Sequence, residues 1–266
     1  MDDVGLDAAV ENSFKPVRVT NVKGGLKVTS ESSAVTVEDV GGDVAVKSSF
    51  QPIVATRIHG RLEVDGESSA VTVRDADRDV VITSSFKDIV VERVGGSLRV
   101  RAESAKVTAT DIKAGGTIAT SFNAVEARRV GGALSVAGES SAVLAEEIGG
   151  DVSIKNSFKN VVLRGTSGSI SILGESSAVD IEGIKALPPG GVIDVKTSFK
   201  PIRVVLPAGT EVQGTARTEF GKIITEFPVI LRDPGEAGGR VVAFGTGKAG
   251  LTLKLETTED ITIGSK

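Results

Sequence analysis

The chain has 266 residues and a formal net charge of −4 at neutral pH, and 40% of its residues are hydrophobic. This charge gives no basic footprint for a nucleic-acid partner, and no apolar run approaches the roughly 20 residues that a membrane-spanning helix requires. Because the chain contains no Cys, disulfides, thiol catalysis and Cys-ligated metal sites are excluded.

The first eleven residues precede the regular pattern of the chain. They are acidic and lack the basic and apolar segments of a secretory signal peptide. We expect residues 1–11 to form one partial coil of the repeat structure that follows.

An internal repeat organises residues 12–205. A Ser-Phe phrase alternates with a Glu-Ser phrase, and each returns every 36 residues until a five-residue insertion at 186–190 lengthens the interval before Phe199 to 41. Sliding the chain by 18 residues overlays the two phrases. One column is then β-branched throughout: Val17, Val35, Ile53, Val71, Ile89, Val107, Val125, Val143, Val161, Val179 and Ile202. Like side chains at a fixed offset are typical of a parallel β-solenoid, in which each coil, or rung, stacks on the last.

The pattern predicts an all-β chain, a single-stranded parallel β-helix (β-solenoid) of about eleven 18-residue rungs. The apolar spacing within each unit, V-x-V-x-x-V-x-x-x-L-x-V, lacks the strict hexapeptide period of left-handed forms. Because crossovers between parallel strands are right-handed in most proteins, we expect a right-handed helix, with the left-handed form as the alternative.

Two columns at one corner of the coil contain candidate sites. Successive Glu residues such as Glu31 and Glu67 should lie about 9.6 Å apart, too far to share a calcium ion, so we expect a solvated corner. In the next column Phe alternates with Ser, which is how a tapering interior is filled. We therefore expect the Phe side chains to pack inward, with an exposed row that binds sugars or partners as the alternative. The row comprises Phe14, Phe50, Phe86, Phe122, Phe158 and Phe199.

If this row points inward, Phe86→Ala should lower the free energy of unfolding by about 3–5 kcal/mol.

Candidates for catalysis are few. The lone His59 replaces a Gly in a turn, and no repeated Asp–His partner supplies a triad. Departures from the repeat at 77–79, at Asp88 and at 186–190 do not converge as the paired carboxylates of a glycosidase. We therefore expect no catalytic residue, no metal and no cofactor.

The outward column between the strand valines is weakly apolar in four places, at Val54, Val90, Leu144 and Val162. Thr, which an ice-binding face would repeat, fills only three rungs of this column, and charged residues break the row, which argues against an ice-binding face. The four residues form a candidate interaction strip that could meet a partner.

After residue 205 the 18-residue register fades. A solenoid must cover its open ends, so we expect irregular rungs and a cap over 206–266. Within this segment, residues 227–241 predict a long loop, and "LTLKLETTEDITIG" predicts two strands. Residues 1–266 are together predicted to form a single solenoid domain.

The phrases "VGGDVAVKSSF", "IGGDVSIKNSFKNVVL" and "GTGKAGLTLKLETTEDITIG" resemble the bacterial adhesin-like β-strand repeat domains of family DUF4097, over about residues 12–264. The resemblance implies a right-handed parallel β-helix that lies outside the cytoplasmic membrane behind an N-terminal anchor or export signal, and it implies no catalytic residues. This segment shows no such anchor, so a cytoplasmic location stays open. The chain also resembles, more weakly, the bactofilins, which polymerise end to end.

From these features we expect a non-enzymatic, extracytoplasmic scaffold or adhesin-like interaction protein of the bacterial cell envelope. Its partner would be a protein or a cell surface, with no nucleic acid and no membrane insertion by this segment. The first alternative is a structural protein that assembles end to end into filaments. The second is a polysaccharide-active β-helix enzyme.

Overall fold

A computed structural model describes residues 1–185, 187–188, 190–232, 238–245 and 250–266 of the chain. The described residues form β-strands and turns and contain no helix, which confirms the predicted all-β class. The chain divides into two compact units, unit 1 (Met1–Gly132) and unit 2 (Ala133–Lys266). Part of the insertion predicted at 186–190 lies outside the described residues.

Unit 1 is a parallel β-solenoid with two strands in each rung. The odd-numbered strands pair in one sheet and the even-numbered strands in the other. The strands are β1 (Asp2–Val4), β2 (Ala8–Ser13), β3 (Val17–Val22), β4 (Leu26–Glu31), β5 (Val35–Val40), β6 (Val44–Ser49), β7 (Ile53–Ile58), β8 (Leu62–Glu67), β9 (Val71–Ala76), β10 (Val80–Ser85), β11 (Ile89–Val94), β12 (Leu98–Glu103), β13 (Val107–Ile112), β14 (Gly116–Ser121) and β15 (Val125–Val130).

The register in unit 1 is the 18-residue offset that the sequence predicts. Val17 pairs with Val35 in the first sheet, and Leu26 pairs with Val44 in the second. Each apolar side chain therefore lies over a similar one on the next rung, and these columns form the buried core. Residues 1–11 also take part, because β1 and β2 pair in parallel with β3 and β4.

A backbone bend explains the V-x-V-x-x-V spacing of the odd-numbered strands. In β3, Val17, Val19 and Val22 face the core, whereas strict alternation would place every second residue inward. Asn21 has a φ of 56°, in the left-handed region, and the reversal there returns Val22 to the interior. The same position in β5, β7, β9, β11, β13 and β15 is held by Asp or Arg with positive φ, which places a corner on each of these strands.

The Gly-rich turns are set by close stacking of backbone on backbone. At Gly95 an added Cβ would lie 2.3 Å from the carbonyl oxygen of Asp77 on the preceding rung. No larger residue fits there without displacing main chain. The "RVGG" phrase therefore marks a turn where successive rungs touch.

Unit 2 is a coil of the same kind. Its strands are β16 (Leu134–Glu139), β17 (Val143–Ile148), β18 (Val152–Ser157), β19 (Val161–Arg164), β20 (Ile170–Glu175), β21 (Val179–Glu182), β22 (Val192–Lys196), β23 (Ile202–Leu206), β24 (Val212–Thr218), β25 (Ile223–Thr225), β26 (Val229–Arg232), β27 (Arg240–Phe244), β28 (Leu251–Thr257) and β29 (Ile261–Ser265). Val179 pairs with Ile202, so the predicted column continues across the insertion.

The C-terminal strands enter the stack out of chain order. β28 pairs in parallel with both β22 and β24, and β29 pairs with both β23 and β25. The last two strands therefore lie between strands that precede them in sequence. The two strands predicted from "LTLKLETTEDITIG" are confirmed.

The prediction of a long loop over 227–241 is wrong at both ends of that segment. β26 and β27 form an antiparallel pair there, with Val229 opposite Phe244. Residues 233–237 between them lie outside the described residues. A short run of apolar residues next to a Pro gave too weak a periodicity to distinguish a strand from a loop.

Candidate functional site

The Phe row lies on the outside of the coil. The exposed fraction of these side chains runs from 58% at Phe50 to 75% at Phe14. The prediction that they pack inward is therefore wrong. The row is exposed, as in the alternative given above, and its binding of sugars or partners stays a prediction. Unit 1 contains Phe14, Phe50, Phe86 and Phe122, here called the Phe ladder, and unit 2 contains Phe158 and Phe199.

The backbone conformation turns each Phe outward. Phe50 has a φ of 64° and Phe86 a φ of 61°, so each lies in the left-handed region at the corner after an even-numbered strand. In β6 the residues Val44, Val46 and Ser48 alternate inward, and continued alternation would have placed Phe50 inside. The left-handed residue breaks that alternation.

The interior at this corner has room only for small side chains. The column that faces inward there contains Ser30, Ser48, Gly66, Ser84, Ala102 and Thr120. At Gly66 an added Cβ would lie 3.1 Å from the side chain of Ile53. A Phe ring has no space in this part of the coil, which is the packing reason for its outward position.

Hydrogen bonds between rungs explain why the two phrases alternate. On a Phe rung, the amide of Phe50 donates to the carbonyl oxygen of Glu67 at 2.8 Å. On the intervening rung, the amide of Ser68 donates to the hydroxyl oxygen of Ser85 at 3.3 Å. The Ser that precedes Phe50, Phe86 or Phe122 therefore accepts a hydrogen bond from the preceding rung.

The interior hydroxyls bind the corner carbonyls from inside. Ser48 Oγ donates to the carbonyl oxygen of Ser33 at 3.1 Å, and Ser84 Oγ donates to that of Ser69 at 2.8 Å. Ser33 and Ser69 are themselves buried, whereas the residues at their positions on Phe rungs are exposed. On a Glu-Ser rung, the residue after the left-handed Ser therefore points inward. On a Phe rung, the Phe and the residue after it both point outward.

Charged side chains accompany the Phe ladder. Lys15 and Lys87 follow a Phe directly and are exposed. The intervening rungs of unit 1 carry the exposed Glu31, Glu67 and Glu103. The contacts described for unit 1 include no ion pair for any of these five side chains.

The candidate interaction strip is less exposed than the Phe ladder. Val54 and Val90 are half-buried on β7 and β11, and Thr72 lies between them, paired with both. In unit 2, Leu144 and Val162 pair directly on β17 and β19 and are also half-buried. Its role as a contact surface stays a prediction.

A second corner carries a ladder of opposite charges. Asp39, Arg57, Asp75, Arg93, Asp111 and Arg129 succeed one another on adjacent rungs, all with positive φ. Arg93 donates to both carboxylate oxygens of Asp75, at 2.5 and 3.0 Å, and Arg129 binds Asp111 in the same way. These hydrogen bonds hold the pKa of Asp75 below its ordinary value. The ladder joins rungs through bidentate pairs.

A third corner uses carboxylates as acceptors for the next rung. Asp79 accepts hydrogen bonds from the amide of Ser97 at 2.7 Å and from its hydroxyl at 2.9 Å. The hydrogen bond from the amide, and then the one from the hydroxyl, lowers the pKa of Asp79 below its ordinary value. Asp43 accepts likewise from the amide of Arg61 at 2.8 Å. Asp79, a departure from the repeat in the sequence, is thus part of the stacking.

His59 has a partner that the sequence did not reveal. Its Nδ1 lies 2.7 Å from Oδ2 of Asp77 on the next rung, and its Nε2 lies 3.6 Å from Asp39 on the preceding rung. The hydrogen bond to Asp77 raises the pKa of His59, and Asp39 adds to this. Neither partner was anticipated from the sequence, and both are carboxylates rather than a hydroxyl nucleophile.

Within the described ranges, no three His, Asp or Glu side chains are grouped so that they could hold a metal ion. No helix capable of spanning a membrane occurs in that part of the chain. Comparisons with protein-family models, curated proteins and solved structures returned no match for this chain.

Proposed function

We propose that the chain is a non-enzymatic scaffold, an adhesin-like interaction protein of the bacterial cell envelope, and that the Phe ladder is its contact surface. The observation that carries the proposal is the exposure of four Phe rings at one corner of unit 1. Exposed apolar groups arranged in a row on one surface mark sites of protein or surface contact.

The backbone at the Phe ladder adds a second argument. All four residues have φ between 58° and 66°, where a bulky L-residue is about 1–2 kcal/mol less stable than in a right-handed conformation. An exposed ring recovers little of this through burial. Strain without a compensating contact within the chain favours a role for the ring outside it.

A non-enzymatic role is supported by the structural contacts of corner carboxylates in unit 1. Asp75 and Asp111 bind Arg side chains, and Asp79 binds the backbone of the next rung. Each therefore has a structural use that accounts for it. The alternative of a polysaccharide-active enzyme is tested by a reducing-end assay with plant and bacterial polysaccharides, in which we expect no product.

End-to-end assembly is supported less well than lateral contact through the Phe ladder. In unit 2 one sheet ends in the antiparallel strands β27 and β26, and a parallel rung does not continue the coil register on such an edge.

The proposed location outside the cytoplasm rests on the resemblance to the adhesin-like repeat domains. Fractionation of cells that produce the protein, followed by immunodetection, tests that location.

The chain supplies its own matched substitution for the contact surface. Ser32, Ser68 and Ser104 occupy the same corner as the Phe residues, with φ of 52–54°. A variant carrying Ser at all four positions of the Phe ladder should therefore fold. We expect it to lose cosedimentation with isolated bacterial cell envelopes that the unaltered protein shows.

A second variant separates the Phe ladder from the candidate interaction strip. Thr36, Thr72 and Thr108 hold the strip position on neighbouring rungs, so Val54→Thr with Val90→Thr is equally conservative. If this variant loses envelope binding and the Phe-to-Ser variant keeps it, the strip is the contact surface and the Phe ladder is not. Absence of envelope binding by the unaltered protein would contradict the adhesin-like role.

A further inference from the structure

We infer that the Phe ladder of unit 1 binds the Phe ladder of a second copy of this protein, with the two ladders antiparallel. This inference rests on the proposed function, because it names the partner of the same contact surface. It commits to a partner whose residues and spacing are known from the structure of one copy.

The spacing of the rings leaves a gap that fits another ring. Phe14, Phe50 and Phe86 lie on every second rung, so successive rings are about 9.6 Å apart at two strand spacings. The residues between them at this corner are Ser32 and Ser68, whose side chains are small. A ring inserted midway lies about 4.8 Å from each neighbour, within the range of favourable aromatic pairs.

The charges along the corner select the orientation of the second copy. Phe rungs offer Lys15 and Lys87, and the rungs between them offer Glu31, Glu67 and Glu103. Two copies aligned in parallel at the same level would place Lys opposite Lys and Phe opposite Phe. An antiparallel pair related by a two-fold axis can instead place each Phe rung opposite a Glu rung, which interdigitates the rings.

One register places Lys opposite Glu at both ends of the overlap. When the Phe50 rung faces the Glu67 rung of the second copy, Lys15 faces Glu103 of that copy and Lys87 faces its Glu31. The two-fold axis repeats each pair, giving four Lys–Glu pairs. The register shifted by two rungs, with Phe86 facing Glu67, retains only the two symmetric pairs of Lys87 with Glu67. The first register is the one we propose.

The groups in this arrangement are free to form such pairs. Elsewhere in unit 1, Arg57, Arg74, Arg93 and Lys106 bind carboxylates of their own copy. Lys15, Lys87 and the three Glu residues have no ion pair among the contacts described for unit 1.

The test is the mass of the full-length protein in solution, measured by sedimentation equilibrium across a range of concentrations. The unaltered protein should show the dimer mass, and the variant with Ser at all four ladder positions should show the monomer mass. Circular dichroism and thermal unfolding verify that the variant is folded. A monomeric unaltered protein at every concentration, or a folded Phe-to-Ser variant that stays dimeric, overturns the inference.

Two charge-altered variants test the antiparallel register. The acidic variant carries Lys15→Glu and Lys87→Glu, and the basic variant carries Glu31→Lys and Glu103→Lys. Each variant alone brings like charges together at all four contacts, so each should be monomeric, whereas a mixture of the two should form a one-to-one dimer. Failure of the mixture to associate, or full dimerisation of the acidic variant alone, overturns the register.

This outcome is separable from that of the proposed function. Envelope binding that requires the Phe ladder, together with a monomeric protein in solution, overturns the second copy as partner and leaves the interaction role intact. Envelope binding is measured below the concentration at which the dimer forms, so that the Phe ladder is free in that assay. A dimer that requires the Phe ladder at higher concentration, together with no envelope binding by the monomer, overturns the adhesin-like role alone.

Discussion

The amide of Phe86 donates a hydrogen bond to the carbonyl oxygen of Glu103, 2.7 Å away on the next rung. The same geometry joins Phe14 to Glu31 and Phe50 to Glu67. The position of Phe is therefore set by its backbone, and the ring is left outside. A residue that serves core packing has a buried side chain, whereas here the backbone amide forms the hydrogen bond and the ring is exposed.

Replacing Phe86 by Asn should leave the free energy of unfolding unchanged or raise it by up to about 1 kcal/mol. Asn tolerates the left-handed region better than Phe, and the 61% exposed ring contributes little burial. Chemical denaturation at low protein concentration, where self-association adds nothing, measures the effect. Ile82→Ala, fully buried on the adjoining strand, should lose about 2–5 kcal/mol as the control. A loss of that size at Phe86 would contradict the outward position.

The strand columns could be predicted from the sequence, and the corner could not. Val17, Val35 and Ile53 share an offset of 18 residues, and only a stacked parallel coil requires that. The left-handed region ordinarily reveals itself through Gly or Asn, so a Phe there gives no warning. The available signal was the residue after it, because Lys15, Gln51 and Lys87 replace the small residues of the intervening rungs.

The C-terminal topology depends on contacts that no local pattern encodes. The alternation in 251–263 predicted two strands correctly. That β28 pairs with β22 as well as β24 is a choice between equally hydrophobic strand edges. The partner of His59 was missed for a similar reason, since Asp77 lies one rung away and only the stacked register brings the two together.

Two serines of the interior column allow a matched comparison. Ser84 Oγ donates to the carbonyl oxygen of Ser69, while Ser30 Oγ, at the equivalent position three rungs earlier, is buried without a partner among the described residues. Ser84→Ala should therefore cost about 1–3 kcal/mol, because a buried carbonyl loses its donor. Ser30→Ala should be neutral or stabilising. Equal losses in urea denaturation would contradict the hydrogen-bond assignment.

Asp79→Ala should destabilise the protein by about 1 kcal/mol at neutral pH, since the amide and hydroxyl of Ser97 lose their charged acceptor. The pKa of Asp79 is lowered from 3.8, so its contribution is present above that value and is lost as the pH falls through the lower folded pKa. The difference between variant and unaltered protein should therefore shrink in acid. Ser97→Ala removes the hydroxyl hydrogen bond but keeps the one from the backbone amide, so its loss of stability should be smaller. A difference that does not change with pH would contradict this role for the carboxylate.

His59 should titrate with a pKa above its ordinary value of 6.5, because its hydrogen bond to Asp77, and then Asp39, favours the charged ring. As the only histidine in the sequence, it gives an unambiguous imidazole signal in an NMR titration. Asp77→Asn should move the pKa down towards 6.5, and Asp39→Asn, which removes the carboxylate at 3.6 Å, should move it less. Since the folded pKa is raised, the stabilisation is full below pH 6.5 and is lost as the pH rises through the folded value. An unaltered protein that titrates at or below 6.5 would show that the two rungs are not in the register described.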